Sequence, residues 1–473
     1  MNFNHYKIQN KPIHAALAAL ADGQIVHEKL NAVVSFVDPT LQLERLTSID
    51  PSAKMYGVPI VLKDNVNTKG ILTTAGSRIL ENYVPAYDAT IAEKLRAAGA
   101  ILIAKSSLDE FGMGGTNLSA ATGPVLNPYD LSRMSGGSSG GSAVLVASGI
   151  VPFAIGSDTG DSVRKPASFN GIIGFKPTYG RISRYGIIPY ASSLDHVAFF
   201  TRNVRDTATA LEVLAGRDDR DMTSLNLPVP NYFEQLDGNI KGKRIGVLVN
   251  VVRAITNPQI QTLFANLIEQ LKAQGAEIVE IQLNEDLLSC ILPTYYIIAN
   301  AEATANHSNL DGLRFGVQKA GTDVDEVMNT SRTAGFGKLI RKRFVIGSYA
   351  LFVENQDKLF RKAQKVRRLI VEELKQALNQ VDGLIAPASA GIAPKLDDNT
   401  LDQLSSTYLI AENFMVMGNF SGCPSITLPM GYCDGLPVGV NLTCKLYDEQ
   451  STLDIALAIE QCTGLADQIK EVA

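Results

Sequence analysis

Residues 135–166 carry two serine- and glycine-rich loops, Ser135-Gly-Gly-Ser-Ser-Gly-Gly-Ser142 and Gly156-Ser-Asp-Thr-Gly-Asp-Ser-Val-Arg-Lys-Pro166. Between them, Val144-Leu-Val-Ala147 continues a helix whose first turn is the first loop, and Val151-Pro-Phe-Ala-Ile155 is short, apolar and strand-like. Ser138 and Ser162 therefore fall at element ends, where backbone N–H groups lack partners and are free to bind a ligand. Upstream, Val61-Leu-Lys-Asp-Asn65 follows an apolar strand predicted over 58–62 and puts Lys63 at its end.

A serine hydroxyl is a poor nucleophile at neutral pH unless a neighbouring base takes its proton. The chain has 5 histidines, and near these loops there is only His196, in Ser192-Ser-Leu-Asp-His196. A Ser-His-Asp relay is hard to assemble from that. A lysine serves instead when burial disfavours its charged form, and Lys63 is placed for it. Read alone, the first loop is equally a flexible linker or a phosphate cradle, but it lacks the Gly-Lys-Ser/Thr ending of a P-loop.

With Asn127-Pro-Tyr-Asp130 ahead and Gly174-Phe-Lys-Pro-Thr-Tyr-Gly-Arg-Ile-Ser-Arg-Tyr-Gly186 behind, these stretches closely resemble the amidase signature family. The resemblance covers nearly the whole chain and is densest from 57 to 202. It returns at Ala301-Glu-Ala-Thr-Ala-Asn306, Asp311-Gly-Leu-Arg-Phe-Gly316, Phe336-Gly-Lys338, Ala363-Gln-Lys-Val-Arg367 and Asn419-Phe-Ser-Gly-Cys-Pro-Ser425, segments similar to the tRNA-dependent amidotransferase branch. It implies an α/β fold with a mixed twisted sheet flanked by helices on both faces. The chain is then one domain over 1–473, with the signature core at about 57–202 and a second α/β stretch at about 240–473.

The same resemblance implies Lys63 as base, Ser138 as proton relay behind a cis peptide bond, and Ser162 as nucleophile. The backbone N–H groups of Thr159, Gly160, Asp161 and Ser162 would form the oxyanion hole. In the amidotransferase branch an arginine of the basic segment holds the glutamine α-carboxylate, which falls on Arg343 with Arg341 as the alternative. The carboxylate that holds the α-amino group falls on Glu412. The implied activity is glutamine hydrolysis, with ammonia passed to convert Glu-tRNA(Gln), or Asp-tRNA(Asn), inside a hetero-oligomer with amidotransferase subunits B and C. The partner would hold the tRNA and use ATP and Mg²⁺; this chain is expected to need no cofactor and no metal. A free-standing amidase and a catalytically weak scaffold are the alternatives.

The chain departs from the family pattern in places. Asp161 stands where glycine is usual, and a carboxylate aimed into the hole would oppose developing negative charge; it is expected to point away, leaving the backbone to act. Asn170 replaces a common cysteine and Ser135 a common proline, both tolerable. Gly114-Gly-Thr-Asn-Leu-Ser119 is shorter than usual and is expected to reshape the substrate pocket.

The remaining properties fit a globular enzyme. The chain has 473 residues, 45% of them hydrophobic, enough for a large core. Its net charge of -5, without a long basic run, argues against a broad phosphate-binding surface of its own. Cys290, Cys423, Cys433, Cys444 and Cys462 show no metal or redox spacing and read as free thiols. The opening Met-Asn-Phe-Asn-His lacks signal-peptide character and no run of apolar residues is long enough to span a membrane, so a cytoplasmic location is expected.

Helices are predicted over 12–29, with His14 and His27 as surface or partly buried residues, over Ala89–Ala98 ended by Gly99, and from Asn257-Pro to Gly275 with Ile260, Leu263, Phe264, Leu267, Ile268 and Leu271 on one face. Strands are predicted at 101–104, 243–249, 277–281, 381–386 and 424–429. The charged run from Asp218, with Pro228 and Pro230, reads as an exposed linker. Residues 336–380 read as basic helix with a solvated face or a partner surface.

Overall fold

The computed structural model describes residue 3, residues 12–398 and residues 406–472. The segment Met1–His5, apart from Phe3, and so the reading made on it, lies outside the described residues. The strands are β1 (Val33–Phe36), β2 (Pro59–Lys63), β3 (Ile101–Ser106), β4 (Leu126–Asn127), β5 (Asp130–Met134), β6 (Phe153–Asp158), β7 (Ile173–Lys176), β8 (His196–Thr201), β9 (Arg244–Leu248), β10 (Glu277–Ile281), β11 (Gly383–Pro387), β12 (Ser425–Cys433) and β13 (Leu436–Cys444). Among the described residues, all but the β4–β5 hairpin join one 11-stranded sheet, ordered β1-β3-β2-β6-β8-β7-β12-β13-β11-β9-β10.

The sheet is mixed. β2 runs parallel to β3 and β6, and β9 runs parallel to β10 and β11. Between these ends β6, β8, β7, β12, β13 and β11 pair antiparallel. Strands from both the signature core and the later α/β stretch lie in this one sheet.

Both faces are buried, and the strands show why. Ile60, Leu62, Phe153, Ile155, Val197 and Phe199 belong to one apolar cluster. Their alternates Val61, Ala154, Ala198 and Phe200 belong to the other. Successive side chains of a strand point to opposite faces, so a strand apolar at every position needs helices above and below.

The helices that matter here are α1 (Pro12–Leu30), α2 (Thr90–Ala97), α3 (Gly140–Ala147), α4 (Arg164–Asn170), α5 (Pro258–Ala273), α6 (Ile291–Asn306), α7 (Lys338–Leu351) and α8 (Lys362–Leu378). α3 is buried at every residue; its apolar residues pack into the core, and its one hydroxyl, Ser142, donates to Ile155 O at 2.8 Å. In α5, Asn257 caps the start by accepting from the N–H groups of Gln259 and Ile260, with Pro258 in the first turn. Gly275 then takes φ 92° beyond its end.

Three expectations are corrected. The strand expected at 151–155 runs instead over Phe153–Asp158: Pro152 has no N–H to donate, while Gly156, Ser157 and Asp158 continue the ladder against β8. The run from Asp218 is not a free linker. Asp218 is buried and accepts from Ser183 Oγ at 2.6 Å and Arg220 Nε at 3.2 Å, and Arg181 Nη2 donates to Pro228 O at 2.7 Å. The basic segment is solvated at Arg341, Lys342, Lys358, Arg361, Lys362, Lys365 and Arg368, but Arg343 and Arg367 turn inward. All five cysteines are free, and no helix among the described residues is long and apolar enough to cross a membrane.

Candidate active site

β2 and β6 lie side by side in parallel, with Leu62 level with Ile155, and Lys63 at the end of β2 reaches Ser157 of β6 with its side chain. The carboxyl ends of parallel strands, where strand order changes direction, are the usual place for a site in such sheets. Lys63 is wholly buried there, its Nζ 2.8 Å from Ser138 Oγ, 2.8 Å from Ser139 Oγ and 3.0 Å from Ser157 Oγ. Burial lowers its ammonium to about 7, against the opposing pull of Asp109, Asp158 and Asp195. A neutral amine able to accept the Ser138 proton is therefore accessible near neutral pH.

The peptide bond between Gly137 and Ser138 is cis. The loop holds its path through close packing: a Cβ at Gly137 would stand 2.1 Å from Asp109 Oδ2 and 2.6 Å from Asn117 N. Asp109 in turn organises Gly114–Ser119, accepting from Asn117 N at 2.8 Å and Ser119 Oγ at 2.7 Å, while its own N–H donates to Ser138 O at 3.1 Å. Asn170 Nδ2 donates to Ser135 O at 2.7 Å, tying this loop to α4.

Ser162 is buried between β6 and α4, and its carbonyl accepts from Ser139 N at 3.2 Å, which joins the two serine loops. Arg164, fully buried, organises the second loop. It pairs with Asp158 at 2.9 Å and donates to Gly160 O at 2.7 Å, Asn419 Oδ1 at 2.6 Å and Met415 O at 2.8 Å. Burial alone would raise the Asp158 carboxyl, but Arg164 and Asn419 hold it well below the usual carboxylate range. No group among the described residues accepts from the N–H groups of Thr159, Gly160, Asp161 or Ser162. Thr159 Oγ1 donates to Asp195 Oδ1 at 2.7 Å, which fixes the loop from the far side.

Arg343 reaches the same region from α7. Its Nη1 donates to Tyr190 Oη at 2.7 Å, and its guanidinium lies 5.3 Å from the Tyr296 ring centre. Arg341, two residues earlier, is exposed. Tyr295 of α6 covers Gly160 so closely that a Cβ there would meet its ring at 3.1 Å. Beyond Ser157 and Thr159 opens a cavity of about 230 Å³, walled also by Phe111, Tyr190 and Asp195.

Glu412 does not stand free. Its Oε2 pairs with Lys165 Nζ at 2.6 Å and its Oε1 accepts from Ala390 N at 2.7 Å. The Asp161 carboxylate turns toward the same lysine, at 3.8 Å.

The chain's similarity to known proteins agrees with this arrangement. Residues 15–453 match the model of the Amidase family. This chain belongs to the amidase family. Among amidase relatives, the A subunit of the glutamyl-tRNA(Gln) amidotransferase from Sulfurihydrogenibium sp. is 39% identical over 470 residues, covering 98% of this chain and 96% of that protein. Its namesake from Koribacter versatilis is 41% identical, covering 87% and 85%. The crystal structure of the glutamyl-tRNA(Gln) amidotransferase A subunit from Thermotoga maritima superposes with a TM-score of 0.83 at 32% identity, covering 100% of this chain and 98% of that one. The peptide amidase of Stenotrophomonas maltophilia superposes at 0.81 with 28% identity, covering 97% and 94%. The mixed sheet flanked by helices expected from the sequence is thus the amidase fold.

Several residues of the site escaped sequence reading. Ser139, Ser157 and Asp158 lie inside the quoted motifs and were legible as polar residues in an apolar setting. Asp195 lies inside the quoted Ser192–His196 stretch, whereas Tyr190, Tyr295 and Tyr296 left no local signal. His196 lies buried, which keeps it far below its ordinary pKa, and its Nδ1 lies 2.7 Å from Leu194 O.

Proposed function

We propose that this chain is the glutamine-hydrolysing component of a tRNA-dependent amidotransferase. The observation that carries the reading is the contact of a buried Lys63 with Ser138 at 2.8 Å; the reading adds Arg343, held by Tyr190, and the carboxylates Asp161 and Glu412, both near Lys165, as the charges that meet the substrate. A guanidinium for the carboxylate and net negative charge for the ammonium would suit a zwitterionic amino acid amide.

The chemistry follows from the protons. Neutral Lys63 accepts the Ser138 proton, Ser138 takes that of Ser162, and the Ser162 oxygen attacks the carboxamide carbon. The oxyanion gathers on the loop N–H groups of Thr159, Gly160, Asp161 and Ser162, where losing one donor costs about 2.7–4 kcal/mol. The relay runs backward to protonate the departing amine, which leaves as ammonia. Water activated by the same relay then cleaves the acyl-enzyme to glutamate.

In this reading the ammonia passes to partner subunits B and C, which hold Glu-tRNA(Gln), or Asp-tRNA(Asn), and activate its carboxylate with ATP and Mg²⁺. The test is ammonia release from glutamine by the purified chain, alone and with co-expressed partners, for wild type and Ser162→Ala. Partner-stimulated release that disappears in the variant is expected. Absence of release from wild type under both conditions overturns the reading.

A further inference from the structure

Three charges meet beside Ser162: Asp161, Lys165 and Glu412. Glu412 has both oxygens in use, one on Lys165 Nζ at 2.6 Å and one on Ala390 N at 2.7 Å. Lys165 also donates to the main-chain oxygen of Glu412 at 2.7 Å. A carboxylate cancelled by an ammonium in contact offers little net attraction to a second ammonium. Asp161 differs: it stands 3.8 Å from Lys165 and accepts no hydrogen bond among the described residues. The trio carries a net charge of one negative unit, and the carboxylate held only by a longer ion pair, without a hydrogen bond, is that of Asp161.

Position supports the same assignment. Asp161 sits between Ser162 and Gly160, and Gly160 lies beneath the Tyr295 ring. Tyr295 stands between Tyr190, which holds Arg343, and this loop. Of the other carboxylates nearby, Asp158 is paired with Arg164, and Asp195 accepts from Thr159 Oγ1, Tyr190 N and Ala191 N.

The geometry points to Asp161 as the residue that selects the substrate's α-ammonium group, with Lys165 cancelling Glu412. This inference rests on the glutaminase reading above. It gives a function to the one position of the oxyanion loop where a side chain replaces the usual hydrogen. Burial pushes the Asp161 carboxyl up to about 6, with Lys165 opposing and Asp158 and Glu412 adding, so it is anionic at neutral pH.

The test compares kcat/KM for glutamine with that for glutaramate, which keeps the amide and the carboxylate but lacks the α-amino group. The full chain with its co-expressed partners is used. The ratio cancels any loss of folded enzyme. Wild type prefers glutamine, and Asp161→Asn lowers the preference about tenfold or more, the scale of a lost hydrogen bond to a charged group. Adding Lys165→Gln to Asp161→Asn frees Glu412 and restores most of the preference. An unchanged ratio in Asp161→Asn, or no recovery in the double variant, overturns the assignment to Asp161 while leaving the glutaminase reading intact. Hydrolysis of neither amide by wild type removes both.

Discussion

Lys63 Nζ and Ser138 Oγ stand 2.8 Å apart in a space closed to solvent, and Ser139 and Ser157 complete the shell around the same nitrogen. Hydroxyl partners serve a neutral amine as well as an ammonium, since each accepts or donates. Carboxylates directly on the amine would have fixed it in the charged form; Asp109, Asp158 and Asp195 act only at longer range.

The activity should therefore depend on pH through Lys63. Its folded value of about 7 lies below the ordinary lysine value, so the amine is protonated and idle below that pH and free above it. The expected profile of kcat/KM falls about tenfold per unit below pH 7 and levels above it. A profile flat between pH 5.5 and 8 would remove Lys63 as the base.

Substitutions in the relay should separate by role. Ser138→Ala is expected to lower kcat by about 10²–10⁴, the range of positioned proton transfer. Ser139→Ala should cost much less, because Lys63 keeps Ser138 and Ser157. Steady-state kinetics on both variants measures the difference, and equal losses would contradict the relay order.

Arg343→Lys is expected to raise KM for glutamine by about tenfold with a smaller change in kcat, because an ammonium cannot reproduce the planar fork that meets a carboxylate. The same change at exposed Arg341 should leave both constants near wild type. A larger effect at Arg341 would reverse the assignment.

The Asp158–Arg164 pair predicts a stability effect. Asp158→Asn leaves a buried guanidinium without its counter-charge, at a cost of about 3–5 kcal/mol in urea unfolding. The carboxyl is held below its ordinary value in the folded protein, so its contribution is present above the usual carboxylate range and is lost as pH falls toward the folded value. The variant should lose that part of the wild-type acid sensitivity.

Gly137→Ala should destabilise the first serine loop, since the new methyl meets Asp109 Oδ2 at 2.1 Å and backbone nitrogens below 3 Å. Overpacking of this kind costs about 1–3 kcal/mol. Gly115→Ala, with nothing within 4 Å of the added atom, is the matched control and should be near neutral. Thermal unfolding of the two distinguishes crowding at Gly137 from a general cost of an added methyl in the glycine-rich segments around Asp109.

The proposed trio of Lys63, Ser138 and Ser162 was legible in the chain because each member sits in a local pattern: a lysine closing an apolar strand, and two serines at glycine-rich element ends. The helices at 12–30, 90–97 and 258–273 were legible for the same reason, their periodicity and caps being local. Short β7 and β8 were not, since their existence depends on pairing with β6 and β12.

The sequence by itself determined which chemistry-bearing groups lie in local patterns: a lysine closing an apolar strand, two serines at glycine-rich element ends and a loop whose N–H groups fall at such an end. Tertiary structure alone decided which charges remain free to meet a substrate. Lys165 finds Glu412 across 247 residues, and Arg343 finds Tyr190 across 153. Buried polar groups must be paired somewhere, and only the folded chain settles which partner each one takes and which, like Asp161, keeps only a longer ion pair.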